Sequence, residues 1–178
     1  MEIIDGKKLA SAIRKNIKEE IPKLNFKPVF CDVLVGADPA SVQYVEMKAR
    51  TAEIVGIHFH NATFPASIST GDLIKEIKLL NEIPNMCGII VQLPLPASID
   101  KKAVLDSIDP KLDVDCLGAV ASEKFYNNYN SKTDLGYPTA LACMALLDSV
   151  GLDLKGKIIV IMGKGELVGR PTASLLLN

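Results

Sequence analysis

The stretch Cys87-Gly88-Ile89-Ile90-Val91-Gln92-Leu93 decides the fold class: it is apolar almost throughout, with the lone amide of Gln92 near its end and Pro94-Leu95-Pro96 fixing the chain beyond. A strand without polar alternation is buried on both faces, as a parallel sheet covered by helices requires. Outward from it, Ser69-Thr70-Gly71-Asp72 opens a helix with Leu73, Ile74, Ile77 and Leu80 on one face, which stops before Pro84. Ile57 to Phe64 reads as a strand. Before it, Asp38-Pro39-Ala40-Ser41 supplies a turn and N-cap for a helix marked by Val42, Val45, Ala49 and Ala52 that ends near Gly56. Val29 to Val35 is a β-rich run closed by Gly36, and Leu9, Ile13, Ile17 and Ile21 recur every four residues as an amphipathic helix stopped by Pro22. The alternation is that of an α/β protein: an N-terminal three-layer domain with a mostly parallel sheet.

Downstream, a short helix is expected around Ala103 to Ser107, and the turn formers of residues 118 to 136 read as a boundary segment. Thr139 to Val150 is a helix ended by Gly151, Lys157 to Gly163 a short buried strand, and Leu167 to Leu177 the helix after it. Residues 1–120 are therefore expected to form one domain and residues 121–178 the start of a second, Rossmann-like one.

The chain has 178 residues, with 20 Lys+Arg against 21 Asp+Glu. A formal charge of −1 argues against nucleic acid or an anionic membrane surface as partner. Hydrophobic residues at 48% and charged residues at 23% match a soluble globular protein. No apolar stretch approaches the ~20 residues of a membrane helix, and the N-terminus turns charged before a signal-peptide core could form. Cys31, Cys87, Cys116 and Cys143 lie far apart with no C-x-x-C pair, as free thiols of a reducing compartment would. A cytoplasmic protein is expected.

Tyr44 and Lys48 stand four residues apart, about 40° around a helix, on one flank of the Val45, Ala49 and Ala52 stripe. They form either a functional aromatic–amine pair or a lysine snorkelling over a tyrosine on a solvated face. Gln92 ends a buried strand, where open α/β sheets bind ligands; its alternative task is to satisfy loop backbone groups. Asp113 and Asp115 alternate with Leu112 and Val114, so one pair is expected buried and the other polar. A carboxylate there can hydrogen-bond a polar heterocycle or cap a loop; with no third ligand close by, no metal site is expected. His58 and His60, lacking a third ligand as well, receive no role. Gly163-Lys164-Gly165-Glu166-Leu167-Val168-Gly169 follows the expected strand and leads into a helix, the context of a dinucleotide phosphate loop, but its G-x-G-x-x-x-G spacing is one residue longer than the usual fingerprint.

Taken in order, Ile4-Asp5-Gly6-Lys7, Val35 through Lys48, Gly88 through Pro96, Asp113-Val114-Asp115 and Gly163 through Pro171 resemble the bifunctional methylenetetrahydrofolate dehydrogenase/cyclohydrolase family over essentially the whole chain. The resemblance implies that Tyr44 stacks on folate, that Lys48 is the catalytic acid/base, that Gln92 positions it, and that Asp115 binds the pterin. It implies two steps at one site, with Lys48, Tyr44 and Gln92 in the catalytic group. Hydride passes from methylenetetrahydrofolate to NADP, and water opens the methenyl product to 10-formyltetrahydrofolate. Gly163, Lys164, Gly165, Gly169 and Thr139 would then serve NADP, with NAD as the alternative because Lys164 stands where arginine is usual and offers only a point charge to a 2′-phosphate. The implied partners are tetrahydrofolate one-carbon derivatives and a second copy of the chain, in one-carbon metabolism feeding purine and amino-acid biosynthesis.

Three departures accompany the resemblance. Leu112-Asp113-Val114-Asp115-Cys116 replaces K-D-V-D-G, Tyr137-Pro138-Thr139-Ala140 replaces P-C-T-P, and a single helix follows Gly163. The last leads to the expectation of a fragment or a naturally shortened form, and to an alternative function as a folate-binding or dimerising module without dehydrogenase activity. A third reading, a shikimate dehydrogenase relative, is opposed by Gln92-Leu93-Pro94-Leu95-Pro96.

Overall fold

The structure, a computed structural model, describes residues 3–177. Three strands, β1 (Val29–Val35), β2 (His58–Phe64) and β3 (Met86–Val91), form a parallel sheet in the order β2-β1-β3. The connections are α2 (Pro39–Val55) between β1 and β2 and α3 (Thr70–Asn81) between β2 and β3. Parallel neighbours need such crossovers, and the helices cover the two faces.

Local chemistry sets the helix ends. Asp38 caps α2 by accepting from the Ser41 backbone N–H at 2.9 Å and from its hydroxyl at 2.9 Å, Pro39 occupies the first turn, and Gly56 closes the helix in the left-handed conformation. Ser69 caps α3 through the Asp72 N–H. Asp5 caps α1 (Gly6–Glu20) in the same way through Lys8, yet none of the residues of α1 is buried, so its apolar stripe is only partly covered.

The central strand β1 has both faces occupied. Cys31, Val33 and Val35 join Leu73 and Ile77 of α3, Ile89 and Val91 of β3, and Val104 of α4 (Lys101–Leu105) in the main core. The alternate residues of β1 face α2, which buries Val45, Ala52 and Val55. A second cluster gathers Cys116, Phe125 of α5 (Ala119–Asn128), Tyr137 and Ala140 of α6 (Pro138–Ser149). The last helix, α7 (Gly169–Leu177), packs on α6.

Within residues 118–136, Ala121 and Phe125, one helical turn apart, bury the inner side of α5. One expectation from sequence needs correction here. Lys157 to Gly163 is not a buried strand: it pairs with no strand among the described residues, and Ile158 and Met162 are each 97% exposed. An apolar run becomes a strand only when a neighbour supplies the hydrogen-bond ladder, and no described segment lies alongside it. No described helix is long and apolar enough to cross a membrane, and the four cysteines are free.

Beyond the outer edge of β3, the Ile89 N–H donates to Leu112 O at 2.7 Å and Ile89 pairs with Asp113 in an isolated parallel bridge. Gly88 permits that approach, since a Cβ on it would lie 2.6 Å from Val114 Cγ1. Gly88→Ala is expected to lower stability by about 1–3 kcal/mol, and Val114→Ala in the same chain to restore most of it. Urea midpoints of the two single variants and the pair check this; equal destabilisation with and without Val114→Ala would refute the steric cause.

Candidate functional site

The flank of α2 facing the carboxyl ends of β1 and β3 brings together residues far apart in sequence. Lys48 Nζ donates to Gln92 Oε1 at 2.9 Å, across 44 positions of chain. It also lies 5.2 Å from the centroid of the Tyr44 ring, a favourable place for a cation on an aromatic face. The Gln92 amide has one workable orientation: an ammonium only donates, so Oε1 must face Lys48, and Nε2 then donates to Leu93 O at 2.9 Å. Gln92 thus satisfies a loop carbonyl, the alternative task weighed from sequence, and also holds the Lys48 amine. A cis peptide bond joins Leu93 to Pro94.

The third group on Lys48 was absent from the sequence reading. Asp32, in the middle of β1 and fully buried, forms an ion pair with Lys48 Nζ through Oδ2, while the lysine side chain is 16% exposed. Burial pushes the Asp32 carboxyl above its usual range, and the hydrogen bond and charge of Lys48 pull it back. The signal was present as the one carboxylate inside Val29-Phe30-Cys31-Asp32-Val33-Leu34-Val35, where an unpaired charge would be intolerable.

Asp113 and Asp115 separate by environment and not by strand alternation. The segment is no extended strand: Cys116 takes a left-handed φ of 57°, and both carboxylates turn inward. Asp113 is 2% exposed and accepts from the Gly118 N–H at 2.7 Å, so it closes its own loop. Asp115 lines a cavity of about 370 Å³ together with Tyr44, Lys48, Gln92, Tyr137 and Thr139. Burial raises its carboxyl to about 6; Lys48 opposes the rise, while Asp113 and Asp32 add to it.

Thr139, at the start of α6, therefore lies with the folate candidates. Gly165 lines an adjoining cavity of about 660 Å³ whose walls include Lys101 and Lys102, and the two cavities share Leu93, Leu117 and Leu167. Gly163 adopts a φ of +109°, and a Cβ on Gly169 would meet Gly163 O at 2.0 Å. The loop thus requires glycine at both positions to fold back on the start of α7, the close backbone approach a phosphate cradle needs. Lys164 is exposed. His58 and His60 stand on β2, away from this cavity's lining.

With known proteins the chain shares both sequence and shape. Residues 4–115 match the tetrahydrofolate dehydrogenase/cyclohydrolase catalytic domain, and residues 137–178 match the NAD(P)-binding domain of the same name. The bifunctional protein FolD of Moorella thermoacetica is 42% identical over 180 residues, covering 99% of this chain and 63% of that protein. FolD of Nitratiruptor is 40% identical, covering 100% and 64%. Among solved structures, the bifunctional FolD methylenetetrahydrofolate dehydrogenase/cyclohydrolase of Campylobacter jejuni superposes with a TM-score of 0.95 at 35% identity, covering 99% of this chain and 63% of its own. The Trypanosoma brucei enzyme, complexed with NADP cofactor and inhibitor, gives 0.91 at 34% identity, with 99% and 61% covered. The chain thus spans a little under two thirds of the length of these relatives.

Proposed function

The chain belongs to the tetrahydrofolate dehydrogenase/cyclohydrolase family, and from that premise we propose that its protein oxidises 5,10-methylenetetrahydrofolate with NADP and hydrolyses the methenyl product to 10-formyltetrahydrofolate. The observation that carries the reading is the placing of Lys48 Nζ between Gln92 Oε1 and the Asp32 carboxylate, on the wall of the cavity that Tyr44 and Asp115 also line. Residues 1–120 serve as the folate domain and residues 121–178 as the opening of the nucleotide domain.

Each role follows from chemistry. Tyr44, 54% exposed at the cavity, offers a free aromatic face to the planar rings of folate. Asp115 is an acceptor for the N–H groups of the pterin when ionised. Lys48 carries a proton to or from the reacting carbon's substituents, and Gln92 holds its amine at a fixed point, so that little reorganisation accompanies proton transfer. In the hydrolytic step the methenyl cation and one water yield the neutral formyl product and one released proton. Gly163, Lys164, Gly165 and Gly169 would hold NADP, which supplies the hydride acceptor for the oxidation, and Thr139, on the wall of the folate cavity, would contact the cofactor from the folate side. NAD remains the alternative partner, because the Lys164 ammonium lacks the fork with which arginine grips a phosphate. The same reading makes the protein a cytoplasmic homodimer serving one-carbon metabolism, upstream of purine and amino-acid biosynthesis, with neither nucleic acid nor membrane as partner.

Two assays on the protein test this separately: NADPH formation from methylenetetrahydrofolate, and decay of the methenyl chromophore without cofactor. Both activities are expected. Hydrolysis or folate binding alone would favour a folate module lacking dehydrogenase function. Neither activity, together with no folate binding, would sink the proposal.

A further inference from the structure

We propose that Asp32 is the positioning residue of Lys48: its carboxylate holds the amine against Gln92 and takes up the lysine's proton when Lys48 acts as a base. The inference rests on the folate reading for its chemistry, but the coupling of the two side chains stands on geometry alone.

Asp32 is fully buried, on the strand next to the helix that carries Lys48, and the ion pair is its link to the cavity. Both of its oxygens are buried and, apart from the ion pair of Oδ2 with Lys48, have no partner among the described residues, so Lys48 is the one described cation that compensates it. Its strand neighbours by register, Asn61 and Ile90, carry no charge. The other titratable groups around the pair are Tyr44 on α2, Asp115 and Asp113 on the loop after α4, and Cys31, which points into the opposite core and whose thiol burial pushes up to about 12. An isolated buried carboxylate facing one amine can share that amine's proton, because in a weakly solvated place the neutral pair is close in energy to the ion pair.

That exchange gives Lys48 a way to serve as a base without losing a proton to solvent beforehand. With the shared proton on Asp32 Oδ2, the Lys48 amine is neutral and faces the cavity. As water adds to the cationic methenyl carbon, the C–O bond forms, one water O–H bond breaks, and its proton goes to Nζ. The pair holds one proton before the step and two after it; the substrate's positive charge ends on Lys48, and the additional proton then leaves to solvent. Because Asp32 is shielded from the cavity by Lys48, it acts on turnover and not on folate binding.

The test uses Asp32→Asn, which keeps shape and removes the charge, and Asp32→Val, which restores an apolar strand should the amide fold poorly. For cofactor-free hydrolysis, kcat is expected to fall about ten-fold or more with KM within about two-fold, and the acid limb of the kcat–pH profile to move by about one pH unit or more. Independently of activity, acylation of Lys48 by an activated ester, mapped by peptide mass spectrometry at pH 7, is expected to speed up about three-fold or more, since an amine no longer tied to the buried carboxylate is freer to meet the reagent. An unmoved pH profile with an unchanged acylation rate overturns the proposal. So does a kcat that falls only in proportion to the loss of folded protein. If the unsubstituted protein hydrolyses nothing while acylation still accelerates, the coupling of Asp32 to Lys48 holds and the folate reading fails.

Discussion

Replacing Lys48 with methionine is expected to lower methenyltetrahydrofolate hydrolysis by about a thousand-fold, within the range that positioned acid–base groups contribute. Methionine keeps most of the length of the side chain and fills the same flank of α2, so folate binding through Tyr44 should change little, while loss of the Lys48 charge lets the Asp115 carboxyl rise further and weakens its hold on the pterin as pH falls. Stopped-flow decay of the methenyl chromophore, beside folate binding by calorimetry, checks this; hydrolysis within ten-fold of the parent would remove Lys48 from the mechanism. The substitution also strands the Asp32 carboxylate, whose counter-charge is Lys48. Breaking a buried pair from one side costs about 3 kcal/mol, and the loss should depend on pH in a definite direction. Burial already raises the Asp32 carboxyl, and Lys48 lowers it again; without Lys48 it rises further. A group with a raised folded value contributes its full stability below the ordinary carboxylate range and loses it as pH climbs through the raised value. Thermal unfolding of Lys48→Met is therefore expected to approach the parent in acid and to fall progressively behind it towards neutral pH. A deficit that does not change with pH would mean that Asp32 is not the group left uncompensated.

Asp115→Asn is expected to separate function from stability. Loss of a charged acceptor for the pterin N–H groups should reduce kcat/KM by about ten- to a hundred-fold, as for a hydrogen bond to an ionised group. In the parent, where the carboxyl is raised to about 6, KM should increase as pH falls through that value and the acceptor is protonated; in the variant this dependence should vanish. Stability moves the other way. The parent's ionised Asp115 is favourable in the unfolded chain and disfavoured by burial in the folded one. Its contribution is complete below the ordinary carboxylate range and is lost as pH rises through about 6. The amide carries no such penalty, so Asp115→Asn should be more stable than the parent at pH 7 by about 1 kcal/mol, allowing for solvent screening at the cavity mouth. A less active and equally or less stable variant would show that the Asp115 carboxylate is compensated by groups other than Lys48.

Much of the site was legible before any coordinates. The four-residue spacing of Tyr44 and Lys48 puts both on one flank of a helix whatever surrounds it, because helical geometry is local. Gln92 was conspicuous as the lone polar group ending an apolar strand. The Gly163 to Gly169 loop was also readable, although its spacing did not foretell that the Gly163 carbonyl would lie against Gly169. Asp113 and Asp115 do not follow the simple alternation of a buried and a polar pair, because the left-handed Cys116 and the bond from Gly118 to Asp113 turn the chain into a closed loop.

From composition and pattern alone came the α/β class, the order of helices and strands around β1, the helix caps, and the residues worth suspecting on α2 and after β3. These are properties of contiguous chain: side-chain period, capping chemistry and turn residues act over a few positions. Tertiary structure alone decided that Asp32 and Gln92 meet at one amine, that Asp115 and not Asp113 faces the cavity, that Phe125 gives α5 an inner face, and that Ile158 to Met162 stays unpaired and exposed. Each depends on what another part of the chain places opposite a side chain or a backbone N–H. Burial, charge compensation and β-pairing are relations between distant segments, which no local pattern in sequence expresses.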